Sequence, residues 1–456
     1  MTRSSLEGPI HFIGVGGAGM APLALLAHAR GFRVQGSDLR SGSVTRQLTG
    51  RGIDVSVGHD AAHLAGARTV VYSTAVSSRN PELLAARRVG CRCLSRPRFL
   101  DWTMRHHESI AVTGTHGKTT TAAMVGHVLD RLGFDPSVVV GGRSLDGATL
   151  ARAGSGRWLV AEADESNGSL AIYRPEHVVL TPVGLDHLEH LGSWDRTAEL
   201  FRSFLEHVSG RTVIAEGVLR EITEGQEEAA IRYGFGQNCD VRAVDLRVSA
   251  EGSEFVVARR GRRRRCRLAM IGRHNVANAL GAIALATALG AEFEDAVDAM
   301  DSFGGVERRM QVLFRNASQC LLDDYGHNPA KIAASIAAVR EVWPSHRQVV
   351  VVEPHRRERM RKMYHDFAGS FVGGDEVFVM PVHKADGEVG DEFPPSRVAR
   401  DIGRWSGVAA WPFESAAAFA ERMSKGARAT VILTLGAGRS NRMARELARL
   451  LSPSEG

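Results

Sequence analysis

A short loop rich in glycine, lysine and threonine is the stretch of this sequence best suited to chemistry. Residues 111–121 read Ala-Val-Thr-Gly-Thr-His-Gly-Lys-Thr-Thr-Thr, between an apolar strand at 109–112 and an apolar helix that runs to Leu129. Phosphates bind where backbone N–H groups point inward at a helix N-terminus, beside a fixed cation and a hydroxyl for Mg²⁺. The expected contacts are Gly114, Thr115, His116, Gly117, Lys118, Thr119 and Thr120. The pattern predicts a nucleoside triphosphate site, and a glycine-capped helix with a solvated lysine is the simpler alternative.

Carboxylates and a histidine follow two further strands of the same segment. Glu162 comes directly after an apolar strand at 158–161, and His187 lies shortly after a second strand at 177–181. Because the carboxyl ends of neighbouring parallel strands meet at one edge of a sheet, both side chains are expected beside the phosphate loop. Their position there favours a metal role for both residues. For the run Asp164-Glu165-Ser166, helix capping is the alternative.

A second glycine-rich loop lies near the N-terminus. A strand at 11–13 leads into Gly-Val-Gly-Gly-Ala-Gly at 14–19, an apolar helix follows, and a second strand at 32–36 delivers Ser37 and Asp38. This context, with an acid about 20 residues further on, fits the Gly-x-Gly-x-x-Gly dinucleotide fingerprint. The pattern predicts a bound diphosphate. NAD is one candidate, but Asp38 could equally bond the hydroxyls or the base of another nucleotide.

Composition restricts the broad class of protein. With 456 residues, of which 44% are hydrophobic and 24% charged, the chain is expected to form two or three globular domains. It has no apolar run long enough to span a bilayer, no signal-peptide pattern, and five scattered cysteines. We therefore expect a cytoplasmic protein with reduced thiols and no membrane partner. Its oligomeric state is open between monomer and homodimer.

The positive charge of the chain raises the question of nucleic acid. The net charge is +6, and four arginines at 262–265 lie between two strand-like stretches at 254–258 and 266–270. A basic patch of this kind is one signature of nucleic-acid binding. A basic hairpin turn explains the arginines better, and the remaining charge suits anionic small molecules. We therefore expect no nucleic-acid partner.

Strands and helices alternate again in the last third of the chain. Strands are predicted at 319–325, 348–352, 377–380 and 430–434, with a helix over 330–342. Such alternation is typical of a doubly wound parallel sheet. The sequence as a whole therefore predicts an α/β protein with mostly parallel sheets.

In sequence order, the motifs resemble those of the Mur ligase family of bacterial cell-wall synthesis over nearly the whole chain. The matching stretches are 14–20, 36–38, 71–76 with 80–82, 114–121, 162–166, 186–187, 272–275, 308–309, 323–327 and 354–356. The resemblance implies three domains. These are a Rossmann-like UDP-sugar-binding domain over 1–106, a central P-loop-type ATP-binding domain over 107–308, and a C-terminal Rossmann-like amino-acid-binding domain over 309–456.

The resemblance also implies a reaction and the residues that perform it. ATP and Mg²⁺ would drive amide formation between UDP-N-acetylmuramate and L-alanine, or a similar small amino acid, through an acyl phosphate. By motif position, the UDP-sugar would contact Gly16, Gly17, Ala18, Gly19, Ser37, Asp38 and Ser73. The β- and γ-phosphates would contact Lys118, with Thr119, Glu162 and His187 on Mg²⁺ and with His274 and Asn275 at adenine. Arg308, Asp324 and His327 would face phosphates or reacting groups, and Tyr325, Arg356 and Arg359 would approach the amino acid.

The chain departs from the family pattern near the expected metal and amino-acid sites. Pro182 replaces an asparagine, Gly184 an acidic residue, Asn328 a histidine and Arg439 an acidic residue. Three alternatives stay open. The first is a closely related ligase of the same family that returns whole murein peptides to the nucleotide sugar. The second is a non-catalytic nucleotide-binding paralogue, which these departures suggest, and the third is an NAD-dependent oxidoreductase, which rests on the loop at 14–19. The oxidoreductase leaves the loop at 114–121 unexplained.

Overall fold

Three sheets, each with parallel strands and flanking helices, follow one another along the chain. The computed structural model describes residues 6, 8–145, 151–165, 168–184, 193–226, 229–383, 392–426 and 428–452. The predicted α/β class with mostly parallel sheets is confirmed. Within the described part of the chain, no helix combines the length and apolar character needed to cross a membrane.

The first sheet has five parallel strands in the order β3-β2-β1-β4-β5. The strands are β1 Ile10–Ile13, β2 Val34–Asp38, β3 Asp54–Val57, β4 Thr69–Tyr72 and β5 Arg92–Ser95, and the helices are α1 Ala21–Ala29, α2 Ser43–Thr49, α3 Pro81–Arg88 and α4 Arg96–Met104, with a 3₁₀ helix at Ala61–Leu64. The strand order changes direction between β1 and β4. Such a switch point opens a crevice at the carboxyl ends of the strands, and the glycine-rich loop at 14–19 lies there.

The second sheet has nine strands in the order β14-β13-β12-β11-β10-β9-β6-β8-β7. The strands are β6 Glu108–Thr113, β7 Ser137–Val139, β8 Trp158–Glu162, β9 His177–Leu180, β10 Thr212–Ala215, β11 Ile231–Gly234, β12 Val241–Ser249, β13 Gly252–Arg259 and β14 Arg262–Leu268. The described helices are α5 Lys118–Arg131, α6 Trp194–Glu206, α7 Arg220–Thr223, α8 Arg273–Ala288 and α9 Phe293–Asp301, with a 3₁₀ helix at Ser169–Ile172. Parallel pairing of β6 with both β8 and β9 brings the ends of three strands to the phosphate loop.

One local prediction is wrong. The four arginines at 262–265 do not form a hairpin turn but lie within β14, because the turn falls at Arg260 and Gly261, where φ is +46° and +81°. Alternate arginines of this strand pair with carboxylates of α9. Arg264 Nε lies 2.8 Å from Asp298, and Arg262 pairs with Glu294. Part of the basic run is therefore neutralised within the protein.

The third sheet has six strands in the order β15-β16-β20-β17-β18-β19, all parallel except β15. The strands are β15 Gln311–Arg315, β16 Gln319–Asp324, β17 Arg347–Val352, β18 Glu376–Val379, β19 Ala409–Pro412 and β20 Thr430–Leu435. The helices are α10 Pro329–Val342, α11 Arg357–Gly369, α12 Pro395–Ser406, α13 Ala416–Ser424 and α14 Ser440–Leu451. The run of valines in β17 is fully buried because helices cover both faces of a doubly wound sheet.

Internal packing divides the chain into two compact units. The first comprises Met1–Val244, Val256–Cys266 and Ala277–Phe303, and the second Asp245–Phe255, Arg267–Val276 and Gly304–Gly456. The core of the second unit is built on the third sheet. It also includes Ile271, which lies 40 residues before the first strand of that sheet. The domain boundaries predicted after residues 106 and 308 stay predictions.

Candidate active site

The phosphate loop between β6 and α5 bends through two glycines. Gly114 has φ +130° and Gly117 has φ +85°, values that favour glycine. Space is restricted as well. A methyl group at Gly114 would lie 2.6 Å from the carbonyl oxygen of Thr181, and one at Gly117 would overlap Oδ1 of Asn278. The bend therefore requires glycine at both positions.

Main-chain atoms after β9 hold this loop in place. The Thr115 N–H donates to the carbonyl of Pro182 at 3.0 Å, and the His116 N–H donates to the same carbonyl at 3.3 Å. The Thr115 hydroxyl donates to the carbonyl of Gly184 and accepts from its N–H, each at 3.0 Å. Because these bonds use only backbone atoms of Pro182 and Gly184, the unusual residues at both positions still position the loop.

The Lys118 ammonium group lies within the bend. Its Nζ donates to the Gly114 carbonyl at 2.6 Å and lies 2.7 Å from Oε2 of Glu165. Burial disfavours the charged amine, but Glu165 and then Asp164 outweigh burial and raise the pKa of Lys118 above its ordinary value. Lys118 therefore carries a positive charge at neutral pH, as a phosphate loop requires.

Thr119 and Glu162 place oxygen atoms together at the start of α5. The Thr119 hydroxyl donates to Glu162, 3.0 and 3.1 Å from its two carboxylate oxygens, since Val112 of β6 pairs with Glu162 of β8. Such oxygen ligands fit Mg²⁺, which proteins bind through one or two carboxylates together with substrate phosphates. His187, the third predicted ligand, lies outside the described residues. No cluster of three or more His, Cys, Asp or Glu side chains placed for a metal ion occurs among the residues described.

The glycine-rich loop after β1 is ordered by the end of β2. The N–H groups of Gly14 and Val15 donate to the Ser37 carbonyl at 2.8 and 3.0 Å, and the Gly16 N–H donates to Oδ2 of Asp38 at 2.9 Å. The next two residues of the loop, at 17 and 18, are exposed. Asp38, predicted to contact the nucleotide, therefore also shapes the loop that would bind the diphosphate.

Two further side chains border this loop. A methyl group at Gly19 would meet Nη1 of Arg96 at 3.3 Å, so the guanidinium at the start of α4 lies directly against the loop. Ser73, which follows β4, approaches Gly14, since a methyl group there would lie 3.3 Å from its Cβ. Ser73 thus borders the loop, and its contact with the UDP-sugar stays a prediction, while Arg96 adds a cation suited to a diphosphate.

A buried carboxylate lies beneath the end of β2. Glu82 is fully buried and accepts a hydrogen bond from the Ser37 hydroxyl at 2.6 Å. The rings of His59, His63 and His11 lie 2.9, 3.0 and 3.5 Å from its oxygens. Burial favours the neutral acid, but hydrogen bonds from His11 and Ser37 outweigh it and lower the pKa of Glu82 to about 2. The Ser37 hydroxyl is thus bonded within the protein, and its contact with a UDP-sugar stays a prediction.

In the second unit, Arg308 is held beside the end of β16. Its Nη2 donates to the Ser440 hydroxyl at 3.2 Å and to the Gly436 carbonyl, and its Nε lies 3.4 Å from Asp323. Its guanidinium lies 4.9 Å from the ring centroid of Tyr325, within range of a cation–π contact. A predicted catalytic residue and a predicted amino-acid-binding residue therefore lie together.

Asp324 shapes the turn that follows β16. Its Oδ2 accepts from the Met310 N–H at 2.9 Å and its Oδ1 from the Gly326 N–H at 2.7 Å. The turn brings the ring of His327 to 5.3 Å from that of Tyr325, and His327 Nδ1 lies 3.0 Å from the Tyr325 carbonyl. Asp324 therefore stabilises this turn, and its contact with ATP stays a prediction.

The other predicted residues differ in exposure. Arg356 is exposed just before α11, with φ +59°, whereas Arg359 is buried one turn later. His274 is exposed near the start of α8, and the buried Asn275 donates its side-chain amide to the backbone carbonyl four residues earlier at 2.8 Å. Thr120 is buried in the first turn of α5. The ligand contacts predicted for these five residues stay predictions.

Family models match the chain in three consecutive segments. The Mur ligase family catalytic domain matches residues 9–108, the Mur ligase middle domain residues 112–286, and the Mur ligase glutamate ligase domain residues 308–438. The chain belongs to the Mur ligase family. The predicted family is therefore confirmed, and an ATP-dependent ligase is the type of enzyme that it comprises.

Individual relatives of this Mur ligase agree with the family models. The chain is 39% identical over 386 residues to UDP-N-acetylmuramate–L-alanine ligase of Acidithiobacillus ferrooxidans, which covers 82% of this chain and 83% of that one. It is 39% identical over 396 residues to the ligase of the same name from Sinorhizobium medicae, covering 84% of each. Among solved structures, UDP-N-acetylmuramate-alanine ligase of Thermotoga maritima aligns with a TM-score of 0.80 and 29% identity, over 97% of this chain and 99% of that one. A murein peptide ligase from Psychrobacter arcticus shares the fold, with a TM-score of 0.68 and 24% identity over 99% and 100% of the two chains.

Several candidate residues of this Mur ligase escaped sequence reasoning. Asn278 lies one turn after Asn275 on the same helix, and this spacing was the available signal for it. Glu82 lies in the stretch at 80–82 that matches the family pattern. Its role could not be predicted because its partners come from distant segments of the chain. Arg96 belongs to no motif, so only the folded chain could bring it to the glycine-rich loop.

Proposed function

We propose that this Mur ligase joins L-alanine to UDP-N-acetylmuramate, coupled to cleavage of ATP, in the synthesis of peptidoglycan precursors. The observation that carries the proposal is the charged Lys118 within the phosphate loop, in a chain 39% identical to ligases of that name. The oxygen pair of Thr119 and Glu162 beside it supports the same reaction.

A carboxylate is inert toward amines because its leaving group would be oxide. In the proposed reaction, a carboxylate oxygen of the muramic acid attacks the γ-phosphorus of ATP, and ADP leaves. The resulting acyl phosphate has a good leaving group, and the amine of alanine displaces phosphate through a tetrahedral intermediate. The protein must spread the charge of the migrating phosphoryl group and keep water from the acyl phosphate.

The first unit would bind the phosphates of both nucleotides. The N–H groups of residues 117–120 at the start of α5 and the Lys118 ammonium would hold the triphosphate of ATP, and Thr119 and Glu162 would hold Mg²⁺. When bound, Mg²⁺ supplies positive charge that offsets the charge of the phosphates. At the first sheet, the exposed loop residues Gly17 and Ala18 would border the UDP diphosphate, with Arg96 as an added cation.

The second unit would carry the amino acid. Arg356 is exposed and can form two parallel hydrogen bonds to the carboxylate of an amino acid. Tyr325 and His327 lie in the turn after β16, and Arg308 packs on the Tyr325 ring. These side chains offer an aromatic surface and positive charge, which suit a small amino acid with a free carboxylate.

Release of ADP tests the proposal with purified protein, ATP and Mg²⁺. With no other nucleophile added, we expect ADP only when UDP-N-acetylmuramate and L-alanine are both present. We expect none from Lys118→Met, which keeps the length of the side chain without its charge. Turnover with murein tripeptide but not alanine would instead identify a recycling ligase. Equally negligible ADP from wild type and Lys118→Met with every substrate pair would identify a non-catalytic protein.

A further inference from the structure

A third imidazole lies beside the residues proposed to bind the amino acid. The His383 N–H donates to the Pro354 carbonyl at 2.7 Å, and its carbonyl accepts from the Arg356 N–H at 2.9 Å. Its ring stacks on that of His355, with centroids 5.1 Å apart and 6° between the planes. The His355 ring in turn lies 5.1 Å from that of His327. Three imidazoles therefore form a row next to Arg356, all within the second unit.

The three rings differ in their surroundings. Burial, with Arg356 as the next cause, lowers the pKa of His355 to about 3. Burial and nearby cations likewise hold the pKa of His327 well below its ordinary value. Both rings are therefore neutral near pH 7 and are poor proton acceptors. His383 instead faces a carboxylate, since its Nδ1 lies 3.4 Å from Oε1 of Glu353.

Contacts from the start of α14 hold Glu353 in place. It is fully buried, its Oε2 accepts from the Ser440 N–H at 2.7 Å, and its Oε1 lies 3.6 Å from Nε of Arg439. A carboxylate in this position orients the ring of His383. About a third of the His383 side chain is exposed, at 33%, so a bound molecule can reach the ring.

We propose that His383, oriented by Glu353, accepts a proton from the ammonium group of the incoming amino acid. This inference rests on the proposed ligase function. An ammonium nitrogen has no lone pair, so one proton must leave before the attack. After transfer to His383, the nitrogen forms a bond to the carbonyl carbon of the acyl phosphate, and the bond from that carbon to the phosphate oxygen breaks. The attacking nitrogen then loses its second proton to the departing phosphate, which leaves as hydrogen phosphate. The imidazolium of His383 releases its proton to solvent.

His383 is thus a catalytic residue, and Glu353 is a positioning residue that acts through it. Among the described residues, the titratable and charged groups that face His383 are Glu353 after β17, His355 in the loop after that strand, and Arg439, which reaches it through Glu353. Because the low pKa of His355 makes its ring too weak a base to replace His383, loss of His383 leaves solvent to deprotonate the amino acid. The alanine reaction of such a variant should therefore recover as the pH rises and the free amine becomes more abundant.

Two nucleophiles with different proton demands test the inference. Hydroxylamine is unprotonated at neutral pH and attacks an acyl phosphate without a proton acceptor, whereas alanine arrives as an ammonium ion. For His383→Ala near neutral pH, we expect ADP formation with alanine to fall about 100-fold, while ADP formation with hydroxylamine stays within about threefold of wild type. The hydroxylamine reaction also shows that the variant folds and activates the carboxylate. The alanine rate of the variant should rise steadily toward alkaline pH.

Two further variants sharpen the result. Glu353→Gln keeps an acceptor for the Ser440 N–H, and we expect it to lower kcat with alanine while leaving the KM for ATP and the hydroxylamine reaction unchanged. His365→Ala removes a histidine whose side chain is 78% exposed on α11, and both reactions should stay at wild-type rates.

Three outcomes would overturn the inference. An equal loss with both nucleophiles in His383→Ala would assign the residue a structural role. An unchanged alanine rate would exclude it as the proton acceptor. If wild type forms no ADP from UDP-N-acetylmuramate with either nucleophile, the proposed function fails, and this inference fails with it.

Discussion

Arg96 joins the side chains that border the glycine-rich loop of the first sheet, because its guanidinium lies against Gly19. We expect Arg96→Gln to raise the KM for UDP-N-acetylmuramate about tenfold, since a charge-assisted hydrogen bond to a diphosphate contributes about 1.4 kcal/mol or more. The KM for ATP should not change. Arg98 provides the matched control, since it is exposed on the same helix. Equal effects of Arg96→Gln and Arg98→Gln on the sugar nucleotide would contradict the assignment.

Glu82 makes the first sheet sensitive to acid. Its pKa of about 2 lies below the ordinary value of 4.5, so the ionised form stabilises the folded state. This contribution is fully present above about pH 4.5 and is lost as the pH falls through the folded-state pKa, with a total of about 3 kcal/mol. Hydrogen exchange of the β1 amides should therefore accelerate between pH 5 and pH 2.5, beyond the change in intrinsic exchange rate.

The matched variant is Glu82→Gln, which keeps the shape and removes the charge. It should be less stable than wild type near neutral pH and should show a shallower dependence of β1 exchange on pH. If wild type and Glu82→Gln lose protection in parallel as the pH falls, the carboxylate is not the source of the acid sensitivity.

The turn from β6 into α5 depends on glycine for two separate reasons, which can be tested apart. In Gly117→Ala, the new methyl group meets Asn278, and φ of +85° is unfavourable for alanine by about 1 kcal/mol. We expect the KM for ATP to rise at least tenfold with little change in the KM for the UDP-sugar. The double variant Gly117→Ala/Asn278→Ala removes the clash but not the strain, so it should recover part of the loss.

The recovery must come from the loop and not from Asn278 alone. The single variant Asn278→Ala shows what loss of the amide does to ATP binding by itself. A double variant no better than Gly117→Ala would show that the conformation of residue 117, and not the space beside it, requires glycine.

Local sequence patterns were sufficient to predict most elements that carry the site. The phosphate loop, the strand ends at Glu162 and Asp38, and the alternating elements of the third sheet follow from apolar runs and turn residues, which are local properties. The error at 262–265 has a physical reason. Arginine has no strong preference against a strand, and pairing with α9 stabilises the run there, which no local pattern can indicate.

The parts of the candidate site that the sequence could not predict depend on contacts between residues far apart in the chain. The partners of Glu82 come from β1, β2, the 3₁₀ helix and the loop before it. His383 reaches its neighbours through backbone hydrogen bonds to the segment at 354–356. Such encounters depend on how the strands are ordered in the sheets. Motif spacing identifies residues that act within one loop. It cannot identify a site whose side chains come from several separate segments.

The division of the chain into two units has a consequence for stability. Ile271, which precedes α8 in sequence, is buried in the core of the second unit with Met310, Ile332 and Val350. Ile271→Ala should therefore destabilise the second unit by about 2–4 kcal/mol through lost apolar contact and a cavity. Hydrogen exchange of β17 should accelerate, whereas exchange of β6 should not.

A matched control for this variant is Ile283→Ala on α8, since residue 283 is equally buried but belongs to the first unit. The pattern of accelerated exchange should reverse, with the second sheet affected and β17 unchanged. Acceleration of β6 by Ile271→Ala would mean that the division into units does not describe how the chain unfolds.

Ser37 touches both the buried acid and the glycine-rich loop, through its hydroxyl and its carbonyl respectively. Mutants with an altered preference for sugar nucleotides therefore need not carry a change on the binding surface. A substitution at His59, which lies 3.1 Å from the Ser37 hydroxyl, or at His63, which contacts Glu82, would reach the loop through Ser37. Screens for inhibitor tolerance in this enzyme should accordingly include the residues that pack behind the glycine-rich loop as well as those on its surface.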